Sequence, residues 1–155
     1  MGTDWLKDVE PMVHESRIKV PYSWSVGDTG SRFLTEIRDR KQILGKKCEG
    51  CETVFVPPKK MCPRCFQDTG SWIEVGPKGS LVAYTIVRHE NTLQPLKAPF
   101  AYGIIQLDGA STGLVHLLGE VDLDSVCSGM RLEPVFKEDR TGHILDIAYF
   151  RPAEE

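Results

Sequence analysis

The residues of this chain best equipped for chemistry are four cysteines in a short basic window, KKCEGCETVFVPPKKMCPRCFQ, residues 46–67. Cys48, Cys51, Cys62 and Cys65 are spaced C-x2-C-x10-C-x2-C. Two tight knuckles that each present a pair of thiolates suit a closed tetrahedral site with metal–sulfur bonds of about 2.3 Å. Gly50 is expected to let the backbone turn behind the first pair, and Pro63 to shape the second. Tetrahedral sulfur ligation accepts zinc or a rubredoxin-type iron, and zinc is the preferred reading. Two disulfides and a thioredoxin-like redox pair compete with it. A reducing cytoplasm disfavours the first, and a duplicated C-x-x-C without a βαβ context disfavours the second. Four thiolates leave no open position for water or substrate, so the metal is expected to be structural.

The charge around this window is uneven. Residues 41–65 hold six basic and two acidic residues, a net of +4 within a chain of formal charge -3, so the remainder carries -7. That balance disfavours a protein whose whole surface grips nucleic acid, while leaving room for a local anion site. No Gly-rich phosphate loop, G-x-S-x-G elbow or H-E-x-x-H pattern occurs. Cys127, in DSVCSGM, is expected to be a small buried hydrophobe. His14, His89, His116 and His143 are scattered, each read as a surface or core residue rather than a catalyst. Acyl transfer by a cysteine needs an activating base and oxyanion donors that no motif here supplies, so no activity is expected from the chain alone.

The elements that must position these residues follow from patterning. A length of 155 residues, 41% apolar and 26% charged, allows one main domain with an appendage. No apolar run approaches the roughly 18 residues of a spanning helix and no signal peptide is evident, so a cytoplasmic protein without a membrane partner is expected. Residues 1–45 read as an N-terminal arm and helix. Trp5, Pro21, Tyr22 and Trp24 show no period, and the tryptophans are expected to be buried against this chain or another. SRFLTEIRDRK reads as an amphipathic helix from near Ser31, with Phe33, Leu34 and Ile37 on one side. Residues 46–70 form the ribbon. Residues 71–155 carry SWIEV, SLVAYTIVRHE, FAYGIIQLDG, TGLVHLLGEV, LEPVFKED and HILDIAYF, five or six strands separated by turn signals at Pro77–Gly79, Asp108–Gly109 and Thr141–Gly142. The fold class is mainly β: an N-terminal helical arm, a rubredoxin-like zinc ribbon and a C-terminal OB-fold barrel.

The run SRFLTEIRDRKQILGKKCEGCETVFVPPKKMCPRCF, with SWIEVGPKGSLVAYTIV, PFAYGIIQLDGA and GMRLEPVFKEDRTGHILDIAYFRP, resembles the acyl-CoA-associated zinc-ribbon OB-fold family. The likeness covers about residue 20 to the end, and V-P-P between the cysteine pairs is its most specific part. It implies a noncatalytic small subunit in a hetero-oligomer that acts on acyl-CoA thioesters. A thiolase-like catalytic subunit is the first partner it suggests, with a thiolase-related aldolase or a hydratase as alternatives. It further implies that ribbon and barrel lie beside the partner's active site and help to hold coenzyme A or acyl-CoA. Lys59, Lys60 and Arg64, with Lys46 and Lys47 at the ribbon's entrance, then become candidates for its phosphates. Tyr84, Phe100 and Tyr102 become candidates to flank adenine or the pantetheine arm. A solvated basic loop and ordinary packing are the plainer alternatives for these two groups. A single-stranded nucleic-acid-binding protein is the competing class, disfavoured by the acidic remainder. A bare assembly platform is a third.

Overall fold

The structure, a computed structural model, describes residues 23–90, 94 and 96–154, and its first element is a 14-residue helix, α1 (Gly27–Arg40). The readings made for Trp5, His14, Pro21 and Tyr22 fall outside those residues. Trp24 is 70% exposed in the isolated chain, so it is not buried on this protein's own core. The helix begins at Gly27 rather than near Ser31. Gly27 turns the chain at φ 73° and donates its amide to Ser25 Oγ at 3.1 Å, and Asp28 meets the positive end of the helix. At the other end Lys41 takes the left-handed position that glycine more often fills, and the amides of Lys41 and Gln42 close on the carbonyls of Ile37 and Glu36. Phe33 and Ile37 form the buried stripe.

Three short antiparallel strands follow: β1 (Leu44–Lys47), β2 (Val54–Phe55) and β3 (Trp72–Glu74), in the order β2-β1-β3. SWIEV, expected among the strands of the barrel, supplies β3 of this ribbon sheet instead, with Lys46 opposite Trp72 and Leu44 opposite Glu74. The Trp72 ring explains the placement. It lies 4.7 Å from the Arg32 guanidinium of α1 and 5.6 Å from the Lys46 ammonium, so one indole fastens helix to ribbon through cation–π contacts.

The barrel is β4 (Gly79–Val87), β5 (Phe100–Leu107), β6 (Leu114–Leu118), β7 (Arg131–Phe136) and β8 (Ile147–Pro152), closed in the order β4-β5-β6-β8-β7. β8 slips between β6 and β7 and runs parallel to β6, the Greek-key closure of a five-stranded OB-fold. A 3₁₀ turn, Ile144–Asp146, leads into β8. Gly109 and Gly142 take positive φ at the expected turns. At Gly103, midway along β5, a side chain would collide with Leu81 and crowd Leu118, so the close approach of these leucines needs glycine there.

One core runs through all parts. Phe33 and Ile37 of α1, Val54 and Val56 at the ribbon's base, and Leu81, Ile105, Leu132, Ile147 and Phe150 of the barrel belong to a single cluster, while Cys48, Phe55 and Cys62 form a smaller one. The loop between β5 and β6 completes the joint. Val54 donates its amide to Ser111 Oγ at 3.0 Å and accepts from the Ser111 amide at 2.9 Å. Val56 donates to Thr112 Oγ1 at 2.8 Å, and that hydroxyl donates back to the Val56 carbonyl at 3.0 Å. Cys127 is exposed, not buried; in the connection from β6 to β7 it is Val126 that enters the core. Among the described residues no helix is long and apolar enough to cross a membrane.

Candidate metal centre and the surfaces around it

The two cysteine knuckles repeat one hydrogen-bond pattern. In the first, the Glu52 amide donates to the Cys48 carbonyl at 2.7 Å and the Cys48 amide to Thr53 at 2.9 Å. In the second, Phe66 donates to Cys62 and the Cys62 amide donates to Gln67, both at 2.9 Å. The left-handed residue of each knuckle is the one after its second cysteine, Glu52 (φ 58°) and Phe66 (φ 54°), not Gly50. Gly50 is needed for a different reason. A side chain there would collide with Gln67, whose amide crosses from the second knuckle to lie 3.6 Å from Cys48 Sγ.

The four sulfurs lie within 4.8 Å of one another, and Cys51 Sγ is 3.7 Å from Cys62 Sγ. A tetrahedron with bonds of about 2.3 Å has edges of about 3.8 Å, the length the Cys51–Cys62 pair already has, and the other sulfurs are gathered close enough to complete the set around one ion. Their surroundings favour a thiolate at Cys51 and oppose one at Cys65. Hydrogen bonds from the Thr53 side chain, then from its backbone, draw Cys51 down to about 6. Cys65 is pushed up to about 12, first by its hydrogen bond to Cys51 and then by burial and the other sulfurs. Four crowded sulfurs compete for negative charge, and a divalent cation relieves the competition because every ligand binds it deprotonated. Cys48 and Cys62 are fully buried, which closes the site on its inner side.

Around this centre the basic residues divide. Lys47 pairs with Glu52 at 3.1 Å and Lys46 lies on Trp72, so neither faces outward unengaged. Lys59, Lys60 and Arg64 are exposed and have no ion-pair partner among the described residues. Their loop is fixed from below by buried Thr69, whose hydroxyl donates to the carbonyls of Lys59 (2.5 Å) and Lys60 (3.1 Å) and whose amide donates to Lys60 (2.9 Å). On the barrel, Tyr84 and Tyr102 share a shallow depression with Ile104 and Val115. Phe100 is only 8% exposed; its ring meets Tyr102 edge-on at 5.4 Å, so it braces that tyrosine from within and offers no face of its own.

Residues 35–69 match the family described as the ChsH2 rubredoxin-like zinc ribbon domain, and residues 72–137 the ChsH2 C-terminal OB-fold domain, together more than half of the chain. The chain belongs to this zinc-ribbon OB-fold family. A DUF35 domain-containing scaffold protein of Methanocaldococcus jannaschii is 28% identical over 128 residues, 79% of this chain and 90% of the relative. A protein of the same description from Pyrococcus furiosus is 28% identical over 126 residues, covering 79% and 91%. Among solved structures, the Ltp2-ChsH2(DUF35) aldolase superposes with a TM-score of 0.62 at 20% identity, over 84% of this chain and 98% of the other. A DUF35 family protein of unknown function from Sulfolobus solfataricus gives 0.61 at 20% identity, over 81% and 84%. At that identity the structures speak for the fold.

Within this ChsH2-type architecture, spacing alone found the four cysteines. It missed Thr69, Ser111 and Thr112, whose side chains hold the ribbon's backbone, and Gln67, whose amide reaches the Cys48 sulfur. None of them carries a local signal. Each acts on a partner 9 to 57 positions away.

Proposed function

We propose that this chain is a noncatalytic, zinc-stabilised subunit that docks a thiolase-type catalytic partner and helps to hold the coenzyme A of its acyl-CoA substrate. At its most specific, the proposal is the small subunit of a benzoylsuccinyl-CoA thiolase in anaerobic toluene degradation, which the sequence resembles. A thiolase-related aldolase is the nearest alternative partner, in keeping with the aldolase named for the superposed Ltp2-ChsH2 structure.

The observation that carries this reading is the loop at Lys59 and Lys60. Its backbone is clamped by Thr69, its lysines point outward with Arg64, and no acidic side chain among the described residues neutralises them. Three exposed cations, two on a loop with a clamped backbone and one in the second cysteine knuckle, suit a multiply charged anion, and coenzyme A brings a pyrophosphate and a 3′-phosphate. Saturated ligation also keeps the metal out of the chemistry, which falls to the partner.

A bare scaffold is the second reading, favoured by the description of the two archaeal relatives as scaffold proteins. The double variant Lys59→Glu/Lys60→Glu separates the two. On the leading reading the variant still docks its partner while affinity for coenzyme A falls tenfold or more. Unchanged affinity with docking intact leaves the scaffold.

A further inference from the structure

β6 is paired with β5 along its whole length, from Ala101 opposite Leu118 to Ile105 opposite Leu114, yet it meets β8 at Leu118 and Phe150 alone. The amide of Gly119 donates to the Phe150 carbonyl at 2.9 Å. Alternate residues of a strand turn their peptide groups to opposite sides. Leu117 and Val115, in step with Gly119, therefore direct their N–H and C=O toward β8, whose ladder with β6 stops at Leu118 and does not extend to Val115.

The seam opens there into a groove of about 420 Å³, walled by Tyr102, Val115, Leu117, Leu145 and Tyr149 and bordered by exposed Lys137. Its size lies in the range of small-molecule sites, and its walls are mostly apolar. His116 contributes to it from the barrel interior. The imidazole is 5% exposed, its Nε2 lies 3.4 Å from the Ile144 carbonyl, and its Nδ1 has no hydrogen-bond partner. The Lys137 ammonium has no ion-pair partner among the described residues.

These features together select a ligand. Aliphatic flanks suit Tyr102, Leu117 and Leu145; an amide suits the open peptide edge of Val115; an anion suits Lys137. A peptide strand would need a longer open edge than this short seam offers to add by main-chain pairing. We infer that the β6–β8 seam binds a 4′-phosphopantetheine arm, whose two amides, gem-dimethyl group and phosphate match the edge, the walls and the cation. The inference rests on the coenzyme A reading above and gives it a second contact, away from the ribbon lysines. Coenzyme A and a holo-acyl carrier protein both present this arm.

The test uses the full zinc-loaded chain, titrated calorimetrically with 4′-phosphopantetheine, coenzyme A, holo-acyl carrier protein and 3′,5′-ADP. Lys137→Glu changes an exposed side chain, and Leu145→Trp fills the groove at a position 51% exposed, so both variants are expected to fold. Each should weaken 4′-phosphopantetheine at least tenfold and leave 3′,5′-ADP unchanged. Equal sensitivity of coenzyme A assigns the arm to free coenzyme, and sensitivity of the carrier protein alone assigns it to a carrier; either supports the seam. Coenzyme A and the carrier protein both bound equally well by the two variants, or 4′-phosphopantetheine ignored while coenzyme A binds, overturns the seam and leaves the ribbon reading standing. Binding of none of coenzyme A, the carrier protein and 3′,5′-ADP removes both. Loss of a co-purifying protein from Leu145→Trp, with 4′-phosphopantetheine affinity unchanged, makes the groove a protein interface and also overturns the proposal.

Discussion

Val54 and Ser111 hold each other from opposite modules. The ribbon residue gives its amide to the barrel residue's hydroxyl and takes the barrel amide on its carbonyl, at 3.0 and 2.9 Å across 57 positions of sequence. Val56 and Thr112 repeat the reciprocity two residues on. The loop between β5 and β6 thus ties the ribbon to the barrel at two points close together in sequence.

Cutting this strap should be measurable. Ser111→Ala strips the Val54 amide of its acceptor, and Thr112→Val strips Val56. Each leaves a partly buried donor unsatisfied, at about 1–2 kcal/mol. Because the two act on one strand, the double variant should cost less than the sum. Urea midpoints of the four proteins check both statements; a fully additive pair means the loop does not act as a unit.

Metal removal should loosen the chain in a set order. In small cysteine-zinc modules the metal supplies roughly 10–16 kcal/mol of apparent folding free energy at neutral pH. Chelation or Cys62→Ser is expected to abolish zinc binding and to release amide protection first in residues 48–67. Protection at Ser111 should fall next, since its amide donates to Val54 of β2. Hydrogen exchange with mass detection reads this order. Full metal content in Cys62→Ser contradicts the ligand set.

How much of this was legible in the sequence depends on range. The cysteine spacing fixes a tetrahedral site because two turns and a sulfur radius leave little freedom. The alternation in FAYGIIQL and TGLVHLLGEV announces half-buried strands wherever they end up. SWIEV does not say which sheet it joins, because three residues read alike in either, and only the Arg32–Trp72–Lys46 stack decides. Cys127 and Val126 are neighbours of similar polarity, and the segment that exposes one and buries the other is pinned at long range, Gly129 and Met130 exchanging backbone hydrogen bonds with Leu81. Gly50 did look essential, but for the wrong reason: the space it leaves is filled by Gln67 from the other knuckle.

Asp146 should prove the costliest single carboxylate to alter. It is 3% exposed and accepts from the amides of Thr141, Gly142 and His143 at 2.7–3.1 Å, closing the turn before β8. Burial pushes its carboxyl up, and these three amides outweigh that and hold it below the usual range. Asp146→Asn keeps the shape but gives up the charge and points an NH₂ at donors, for about 1–3 kcal/mol. Chemical denaturation measures it; a change under 0.5 kcal/mol contradicts the role.

Stability should also fall on mild acidification. Burial holds His116 below the ordinary imidazole value, against the pull of the Ile144 and Leu117 carbonyls, with Lys137 adding to the lowering. The unfolded chain then binds the extra proton more readily. Stability is complete above about pH 6.5 and declines as pH falls from there toward the folded value, below which this group adds no further slope. Urea midpoints at pH 7.5 and 5.5 should differ in the natural chain, and His116→Phe should shrink the difference. An unchanged difference in that variant assigns the slope to other groups.

The most direct test of the account is native purification of this chain from its own cells, followed by an acyl-CoA thiolysis assay on the intact complex, on the companion subunit and on the chain alone. The account predicts that the zinc-bearing chain elutes with a catalytic companion, that turnover belongs to the pair, and that the chain by itself turns over nothing. Turnover by the isolated chain, or elution as a lone monomer from every extract, contradicts it.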